Sequence, residues 1–337
     1  MAVRARKAGV AKAPRKSGAS DGPADEAEVR DLQARFDAVV AEAKTLAERL
    51  TPITDAMVVA APTWRAAYSD RTCALMASLC AIAYDNFEDP TGVSLGTMRA
   101  RLKKGGFDLV ATYATSIGTQ AYLATSDQMT VLAFRGTQDF ADWEVNLAAG
   151  RQPLRAGDDT VCVHEGFLKA FRSVEDAIAK DLAGPRVPPD KGLYITGHSL
   201  GGALAQIASA AFERDILAAC YTFGSPRVGQ RSFDAEVKCP HYRLVNGRDI
   251  VPAVPPPYLG YQHSGDVRVL GRLGEPPKRY DRTPFLLGLW LGVFSVLWPI
   301  TRRFPLIDDH MIGLYRQKLI AAANLRAPGW TDAGEGA

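Results

Sequence analysis

The sequence predicts an α/β fold in which a mostly parallel central sheet is flanked by helices, with a further helical layer at the N-terminal end. Two observations predict this class. Apolar residues recur at helical spacing before residue 85, and after Glu165 short apolar runs typical of strands alternate with segments of helical periodicity. The 337 residues, 47% of them hydrophobic, are enough to bury a large core around such a sheet.

The N-terminal region divides into three segments by composition. Residues 1–25 contain six basic side chains ahead of the first acid, Asp21, and few apolar ones, which predicts a disordered basic tail. Residues 26–50 carry apolar side chains at helical spacing opposite charged ones, and residues 62–84 show a second helical pattern. We expect a single domain over residues 26–330.

Short β-rich runs, separated by glycine or polar turns, follow these helical segments. We predict strands over 107–113, 120–125, 129–134, 192–196, 218–223 and 241–245, and a helix over 200–212. Because the later strands alternate with helices, the sheet should be largely parallel in that half.

Charge and cysteine usage exclude several classes of function. The net charge of +3 is too close to balance to indicate a nucleic-acid partner. The five cysteines form no C-x-x-C pair and no cluster with histidine, so neither a zinc site nor a disulfide framework is indicated, and no cofactor is expected. Residues 1–25 lack the apolar core of a secretory signal, so we expect a cytoplasmic location, peripheral or monotopic at a membrane if residues 285–298 bind lipid.

The segment with the clearest chemistry is Gly197-His198-Ser199-Leu200-Gly201, which follows an apolar strand and precedes a helix rich in small residues. A G-x-S-x-G sequence in that context predicts a nucleophile elbow, the sharp strand-to-helix turn of an α/β-hydrolase-type sheet. Ser199 would then project from the sheet at a helix N-terminus, where backbone N–H groups favour developing negative charge.

A serine hydroxyl needs a histidine base and a carboxylate that orients this base. In this kind of fold the acid and then the histidine follow the nucleophile along the chain. Asp249 lies just after a predicted strand, where a triad acid belongs, and the histidines beyond Ser199 are His241, His263 and His310. The residue types alone leave the choice of base open.

Four segments resemble the class 3 lipases, also called fungal triacylglycerol lipase-like proteins. They are Phe134-Arg135-Gly136-Thr137, Val163-His164-Glu165-Gly166-Phe167, the elbow with Tyr221 to Gly229 after it, and Asn246 to Pro252. They occur in the family's order, and the likeness extends over residues 69–315. The resemblance implies an α/β-hydrolase fold and an enzyme that hydrolyses lipid esters.

The resemblance also implies roles for individual residues. Ser199 would be the nucleophile, Asp249 the acid and His310 the base, while Thr137 and the backbone N–H of Leu200 would form the oxyanion hole. His263 is the alternative base, because the family has a histidine there too, usually with a structural or site-adjacent role.

Access to the site involves the segment after Thr137, which forms a lid in the family. Phe140, Trp143 and Leu147 fall on one helical face there. An interfacial lid and ordinary core packing explain this stripe equally well.

An apolar insertion spans residues 283–301. Its core, 285–298, would extend about 21 Å as a helix, short of the roughly 30 Å hydrocarbon layer of a bilayer, and a single crossing would separate Ser199 from His310. The remaining interpretations are a buried helix, an apolar cap over the acyl site and a monotopic helix in one leaflet. Because apolar residues cover most of its circumference, we favour membrane contact or acyl binding.

These patterns together predict a serine esterase or lipase that hydrolyses acylglycerols or related lipids through an acyl-enzyme intermediate. Its partner is a lipid or other ester substrate, with peripheral membrane contact through 285–298. Two alternatives stay open. One is a catalytically silent lipase-like protein that binds lipid or a protein partner, and the other is a short-chain esterase or polyester depolymerase.

Overall fold

The computed structural model of the protein describes residues 67–85, 92–137, 150–212, 215, 217–247, 249–280 and 309–326. The predicted tail 1–25, the predicted helix 26–50, the lid segment after Thr137 and the insertion 283–301 lie outside the described residues. The single domain over 26–330 therefore stays a prediction.

Ten strands are present in the described residues, eight of them in one sheet. They are β1 (Asp108–Ala114), β2 (Gln120–Thr125), β3 (Met129–Phe134), β4 (Arg151–Arg155), β5 (Asp158–His164), β6 (Gly192–His198), β7 (Leu217–Phe223), β8 (His241–Asn246), β9 (Asp266–Leu270) and β10 (Lys278–Tyr280). The order across the sheet is β1-β2-β3-β6-β7-β8-β9-β10, and β4 and β5 form a separate hairpin.

The centre of the sheet is parallel. The four neighbouring pairs from β3 to β9 are parallel, whereas the three pairs toward the edges are antiparallel. Strands β3, β6 and β7 are buried along their whole length, as expected for parallel strands covered on both faces. The predicted fold class, a mostly parallel central sheet flanked by helices, is confirmed.

The α-helices of the described residues are α1 (Asp70–Ile82), α2 (Val93–Lys104), α3 (Glu165–Leu182), α4 (Leu200–Ala211) and α5 (Ile312–Arg326). Side chains of α1 and α5 contribute to the core on one face of the sheet, and those of α3 and α4 to the core on the other. Successive residues of β3 alternate between the two cores, since Val131 belongs to the first and Leu132 to the second.

Helix α1 lies within the helix predicted over 62–84. Its first turn is capped by Ser69, whose hydroxyl accepts a hydrogen bond from the N–H of Thr72. It packs against α5, where Nε of Arg316 donates to the hydroxyl of Ser78 over 3.0 Å. No helix among the described residues combines the length and apolar character needed to cross a bilayer.

Candidate active site

Ser199 occupies the turn between β6 and α4. Its backbone angles are φ 57° and ψ −130°, and within the described residues it is the only residue other than glycine with a positive φ. Such strain is typical of functional turns and persists only where neighbouring structure enforces it. Here the N–H of Ser199 donates to the carbonyl of Phe223 over 3.0 Å, and the N–H of Gly202 donates to the carbonyl of Ser199 over 2.9 Å.

Both glycines of the elbow are required by close backbone approach. A Cβ atom on Gly197 would collide with the carbonyl oxygen of Gly201, and a Cβ atom on Gly201 would collide with the carbonyl oxygen of Phe134. Because these obstacles are backbone atoms, they cannot rotate away as a side chain could. The predicted tight strand-to-helix turn is therefore confirmed.

Asp249 and His310 form a buried hydrogen-bonded pair. Asp249 lies in the loop after β8 and His310 lies just before α5, and they are 1% and 5% exposed. Nδ1 of His310 is 2.9 Å from each carboxylate oxygen. Since an ionised carboxylate only accepts hydrogen bonds, Nδ1 is the donor to Asp249, which leaves Nε2 as the nitrogen that can accept a proton.

Two further donors hold the carboxylate of Asp249. The hydroxyl of Tyr315 donates to Oδ2 over 2.6 Å, and the N–H of Val251 donates to Oδ1 over 2.9 Å. These contacts come from α5 and from the loop after β8, so they fix the plane of the carboxylate from two directions. The imidazole of His310 is oriented as a result.

The end of β7 connects this pair to the elbow. Gly224, the residue after β7, has φ 56°, and a Cβ atom there would lie 2.5 Å from Oδ2 of Asp249 and 2.9 Å from Nδ1 of His310. The preceding residue, Phe223, accepts the hydrogen bond from the N–H of Ser199. The three residues predicted as a triad thus gather at the carboxyl ends of β6, β7 and β8, the edge at which ligands bind in α/β sheets.

The residues predicted for the oxyanion hole lie at the same edge. Strand β3 runs parallel beside β6. Gly136 comes two residues after β3 and lies against the elbow, because a Cβ atom on it would be 3.0 Å from Cβ of Ser199. Thr137 comes next and is half-buried, and Leu200 is the first residue of α4. The end of β3 therefore lies against the nucleophile side of the turn.

His198 contacts the backbone of His310. Its Nε2 lies 2.5 Å from the carbonyl oxygen of His310, its Nδ1 lies 2.6 Å from the hydroxyl of Tyr84, and the two imidazole rings are 4.4 Å apart. Burial, and secondly the proximity of His310, lower the pKa of His198 well below its ordinary value. The His198 ring is therefore neutral at neutral pH.

His263, the alternative base, hydrogen-bonds to a group other than Asp249. Its imidazole bonds to the backbone carbonyl of Pro252, and its buried Nδ1 has no partner among the described residues. Burial first, and then two neighbouring arginines, lower its pKa well below its ordinary value. Within the described residues, the imidazole that hydrogen-bonds to Asp249 is that of His310.

His241, the remaining histidine after Ser199, hydrogen-bonds to side chains that are not part of the predicted triad. Its Nε2 is 2.9 Å from the hydroxyl of Thr222, and its Nδ1 is 3.3 Å from the hydroxyl of Ser264. Burial lowers its pKa to about 3, and the charge of Arg243 adds to this.

Sequence reasoning missed the contributions of Tyr84, His198 and Tyr315 to this site. His198 lies inside the elbow motif and Tyr315 lies five residues after His310, but neither spacing indicates the contact that the residue makes. Tyr84 follows a helix in the predicted N-terminal layer, and nothing in the sequence distinguishes it from an aromatic residue of the core.

The family model for class 3 lipases matches residues 131–259, which include β3, the elbow and the loop of Asp249. Over this stretch the chain is similar to the class 3 lipases. A secreted mono- and diacylglycerol lipase of Fusarium solani is 32% identical to it over 195 residues, which cover 54% of this chain and 58% of that protein. The chain spans about half the length of the curated relatives it matches.

Two solved structures share the fold of this chain. The lipase of Rhizopus microsporus var. chinensis superposes with a TM-score of 0.53 at 27% identity, covering 64% of this chain and 79% of that one. A triacylglycerol lipase whose catalytic centre is formed by a serine protease triad superposes with a TM-score of 0.51 at 25% identity, covering 62% and 83%. The implied α/β-hydrolase fold is confirmed.

The predicted cytoplasmic location is wrong. The relative from Fusarium solani is a secreted lipase, which conflicts with a cytoplasmic location for this chain. The prediction relied on the missing apolar run in residues 1–25. The composition of that segment describes its charge and solubility, and it does not determine the compartment in which the folded domain acts.

Proposed function

We propose that this protein is a serine esterase that hydrolyses carboxylic esters of acylglycerols or related lipids through an acyl-enzyme intermediate. The observation that carries the proposal is the buried Asp249–His310 pair, which meets the strained Ser199 turn at one edge of the sheet. The similar lipases described above support the reaction class.

The chemistry follows from the protonation state of the pair. Asp249 holds the proton of His310 on Nδ1, so Nε2 accepts the hydroxyl proton as Ser199 attacks the ester carbonyl. The carbonyl oxygen becomes an oxyanion, which the N–H of Leu200 and a donor of Thr137 stabilise. His310 then protonates the leaving alcohol, and the acyl-enzyme forms.

Hydrolysis of the acyl-enzyme repeats these steps with water. Nε2 of His310 removes a proton from water, the resulting hydroxide attacks the acyl carbon, and the proton passes to Oγ of Ser199 as the acid leaves. Asp249 stabilises the imidazolium in both halves without taking its proton. Apart from the ester and water, the groups named in these steps are side chains and backbone groups of this chain.

Two kinds of support favour a lipid ester as substrate. The relative from Fusarium solani acts on mono- and diacylglycerols, and residues 285–298 of this chain form an uncharged apolar segment with tryptophan at positions 290 and 298. We propose that this segment contacts the surface of the lipid substrate, where tryptophan is favoured. Deleting 284–299 should abolish co-sedimentation with lipid vesicles, and unchanged co-sedimentation would contradict the contact.

The proposed function is tested with nitrophenyl esters of increasing acyl length, with and without lipid vesicles, and by labelling with a fluorophosphonate. Wild-type protein should label at one serine and prefer long acyl chains. Ser199→Ala should lose turnover and labelling. Ser209→Ala is the matched control, because Ser209 is a buried serine of α4 whose hydroxyl donates to the carbonyl of Ala205, and it should retain both.

Each alternative corresponds to a distinct outcome of this experiment. Absence of labelling and turnover in folded wild-type protein indicates a catalytically silent lipid- or partner-binding protein. Labelling with a preference for short acyl chains indicates a short-chain esterase or polyester depolymerase. Undiminished turnover in Ser199→Ala contradicts the assignment of the nucleophile.

A further inference from the structure

Two hydrogen bonds link Tyr84, His198 and the backbone of His310. The hydroxyl of Tyr84 lies 2.6 Å from Nδ1 of His198, and Nε2 of His198 lies 2.5 Å from the backbone carbonyl oxygen of His310. Tyr84 follows α1, His198 is the last residue of β6 and His310 precedes α5. Three elements distant in sequence therefore meet through two short hydrogen bonds.

The direction of both hydrogen bonds follows from the chemistry of the groups. A carbonyl oxygen only accepts, so Nε2 of His198 must carry the proton. His198 is neutral at neutral pH, because burial and the proximity of His310 lower its pKa, so Nδ1 has a lone pair and accepts from the hydroxyl of Tyr84. The carbonyl of His310 thus sets the tautomer of His198, and the hydroxyl of Tyr84 complements it by donating to Nδ1.

The other side of Tyr84 contacts the predicted oxyanion loop. The backbone of Gly136 lies so close that a Cβ atom there would collide with the hydroxyl of Tyr84, and the N–H of Gly136 bonds to the Tyr84 oxygen. The residue after Gly136 is Thr137, the predicted oxyanion donor. The same tyrosine oxygen therefore touches the loop that binds the oxyanion and the histidine that supports the base.

We propose that Tyr84 and His198 are positioning residues that hold the base His310 and the oxyanion loop at a fixed separation around Ser199. This inference rests on the proposed function, because it assigns His310 and the loop their roles. Neither residue touches the reacting atoms. Both act through the backbone of His310 and the backbone of Gly136, and a displacement of about 1 Å at such groups costs about a hundredfold in rate.

Three variants test the chain of hydrogen bonds. Tyr84→Phe removes the hydroxyl that holds Nδ1 of His198, and His198→Phe removes both hydrogen bonds while keeping an aromatic ring. Each should lower kcat roughly tenfold to a hundredfold, with KM changed less than about twofold. His198→Gln places an amide N–H where Nε2 stood, so it should restore kcat to within about fivefold of wild type.

Two matched controls separate positioning from loss of packing. Tyr122→Phe removes a buried hydroxyl that donates to the carbonyl of Leu79 over 2.7 Å, and His241→Gln replaces a buried neutral histidine elsewhere. Both should keep kcat within about twofold of wild type. Wild-type kcat in folded Tyr84→Phe and His198→Phe, or equal losses in the controls, would overturn the inference.

A second measurement does not depend on activity. The chain has five histidines, so ¹⁵N-histidine NMR can report the tautomer of each ring. In wild type His198 should be neutral with its proton on Nε2, and in Tyr84→Phe the Nδ1 signal should shift because that nitrogen loses its hydrogen-bond donor. A proton on Nδ1 in wild type contradicts the proposal whatever the kinetics. Unlabelled wild-type protein in the fluorophosphonate assay would instead contradict the proposed function.

Discussion

The hydroxyl of Tyr315 donates a hydrogen bond of 2.6 Å to Oδ2 of Asp249, on the carboxylate that also accepts the hydrogen bond from Nδ1 of His310. The same hydroxyl accepts a hydrogen bond of 2.8 Å from the backbone N–H of Asn246, the last residue of β8. Tyr315 therefore joins α5 to the end of β8 and to the acid, and its removal should affect stability and catalysis together.

Replacing Tyr315 by phenylalanine should destabilise the protein by about 1.5 to 3 kcal/mol. The change removes a hydrogen bond to a charged group and leaves the buried N–H of Asn246 without its acceptor. Urea unfolding measures this loss, and kcat should fall severalfold because Asp249 is held less firmly. Tyr258→Phe, at a side chain that is 72% exposed, should change neither quantity. A stable, fully active Tyr315→Phe would show that the contact is dispensable.

The choice of base is decided by replacing His310 and His263 separately with glutamine. We expect His310→Gln to lower kcat by about 10⁴-fold or more, because the ring bonded to Asp249 is lost. His263→Gln should keep most of its activity, since His263 bonds to the carbonyl of Pro252. Steady-state ester hydrolysis by both purified variants measures this. Loss of activity at His263 alone would contradict the assignment.

Gly224→Ala should displace Asp249 and His310 from the positions that catalysis requires. A Cβ atom at this residue would meet Oδ2 of Asp249 at 2.5 Å and Nδ1 of His310 at 2.9 Å, and the positive φ adds strain. We expect kcat to fall about a hundredfold or more. Gly247→Ala is the control, because its new Cβ atom meets only the carbonyl of Leu270 at 3.8 Å, and equal activity of the two variants would refute the argument.

His241 should make the protein less stable in acid. Burial lowers its pKa to about 3 in the folded protein, whereas an unfolded histidine has a pKa of about 6.5. Between these values only the unfolded state binds the proton, so stability is lost as the pH falls. At pH 5 this residue should cost about 2 kcal/mol relative to pH 7.

Urea unfolding of wild type and His241→Gln at both pH values checks that expectation. The variant should lose less stability between pH 7 and pH 5, because it has no imidazole to protonate at that position. His198 and His263, whose pKa values are also lowered, act in the same direction and remain in both proteins. An identical loss in the two proteins would mean that His241 does not contribute.

Elements with a local signal were predicted well from the sequence. β2 and β3 have the predicted bounds, and β6, β7, β8 and α4 differ from them by two residues at most. The patterns missed the hairpin of β4 and β5 and the short strand β10, which contain exposed or charged residues and little apolar alternation. Such strands form because neighbouring segments pair with them, and a single-sequence pattern does not record that pairing.

The residues of the candidate site likewise divide into those with a local sequence signal and those without one. The turn at Ser199 has a sequence signature, and one of its glycines, Gly197, is required by a backbone contact with Gly201 inside the same motif. Asp249 and His310 could be selected by chain order and resemblance, although their contact joins residues 61 positions apart. The contact of Tyr84 with His198 joins residues 114 positions apart, and no local pattern encodes it.

The packing of α5 against α1 has a consequence for chain synthesis. A ribosome exposes Ser199 and Asp249 well before it delivers His310, and α5 reaches its place only by docking on a helix made at the other end of the domain. A nascent chain can thus complete most of its sheet and still be inert. The point in translation at which ester cleavage begins would therefore report when α5 docks on α1.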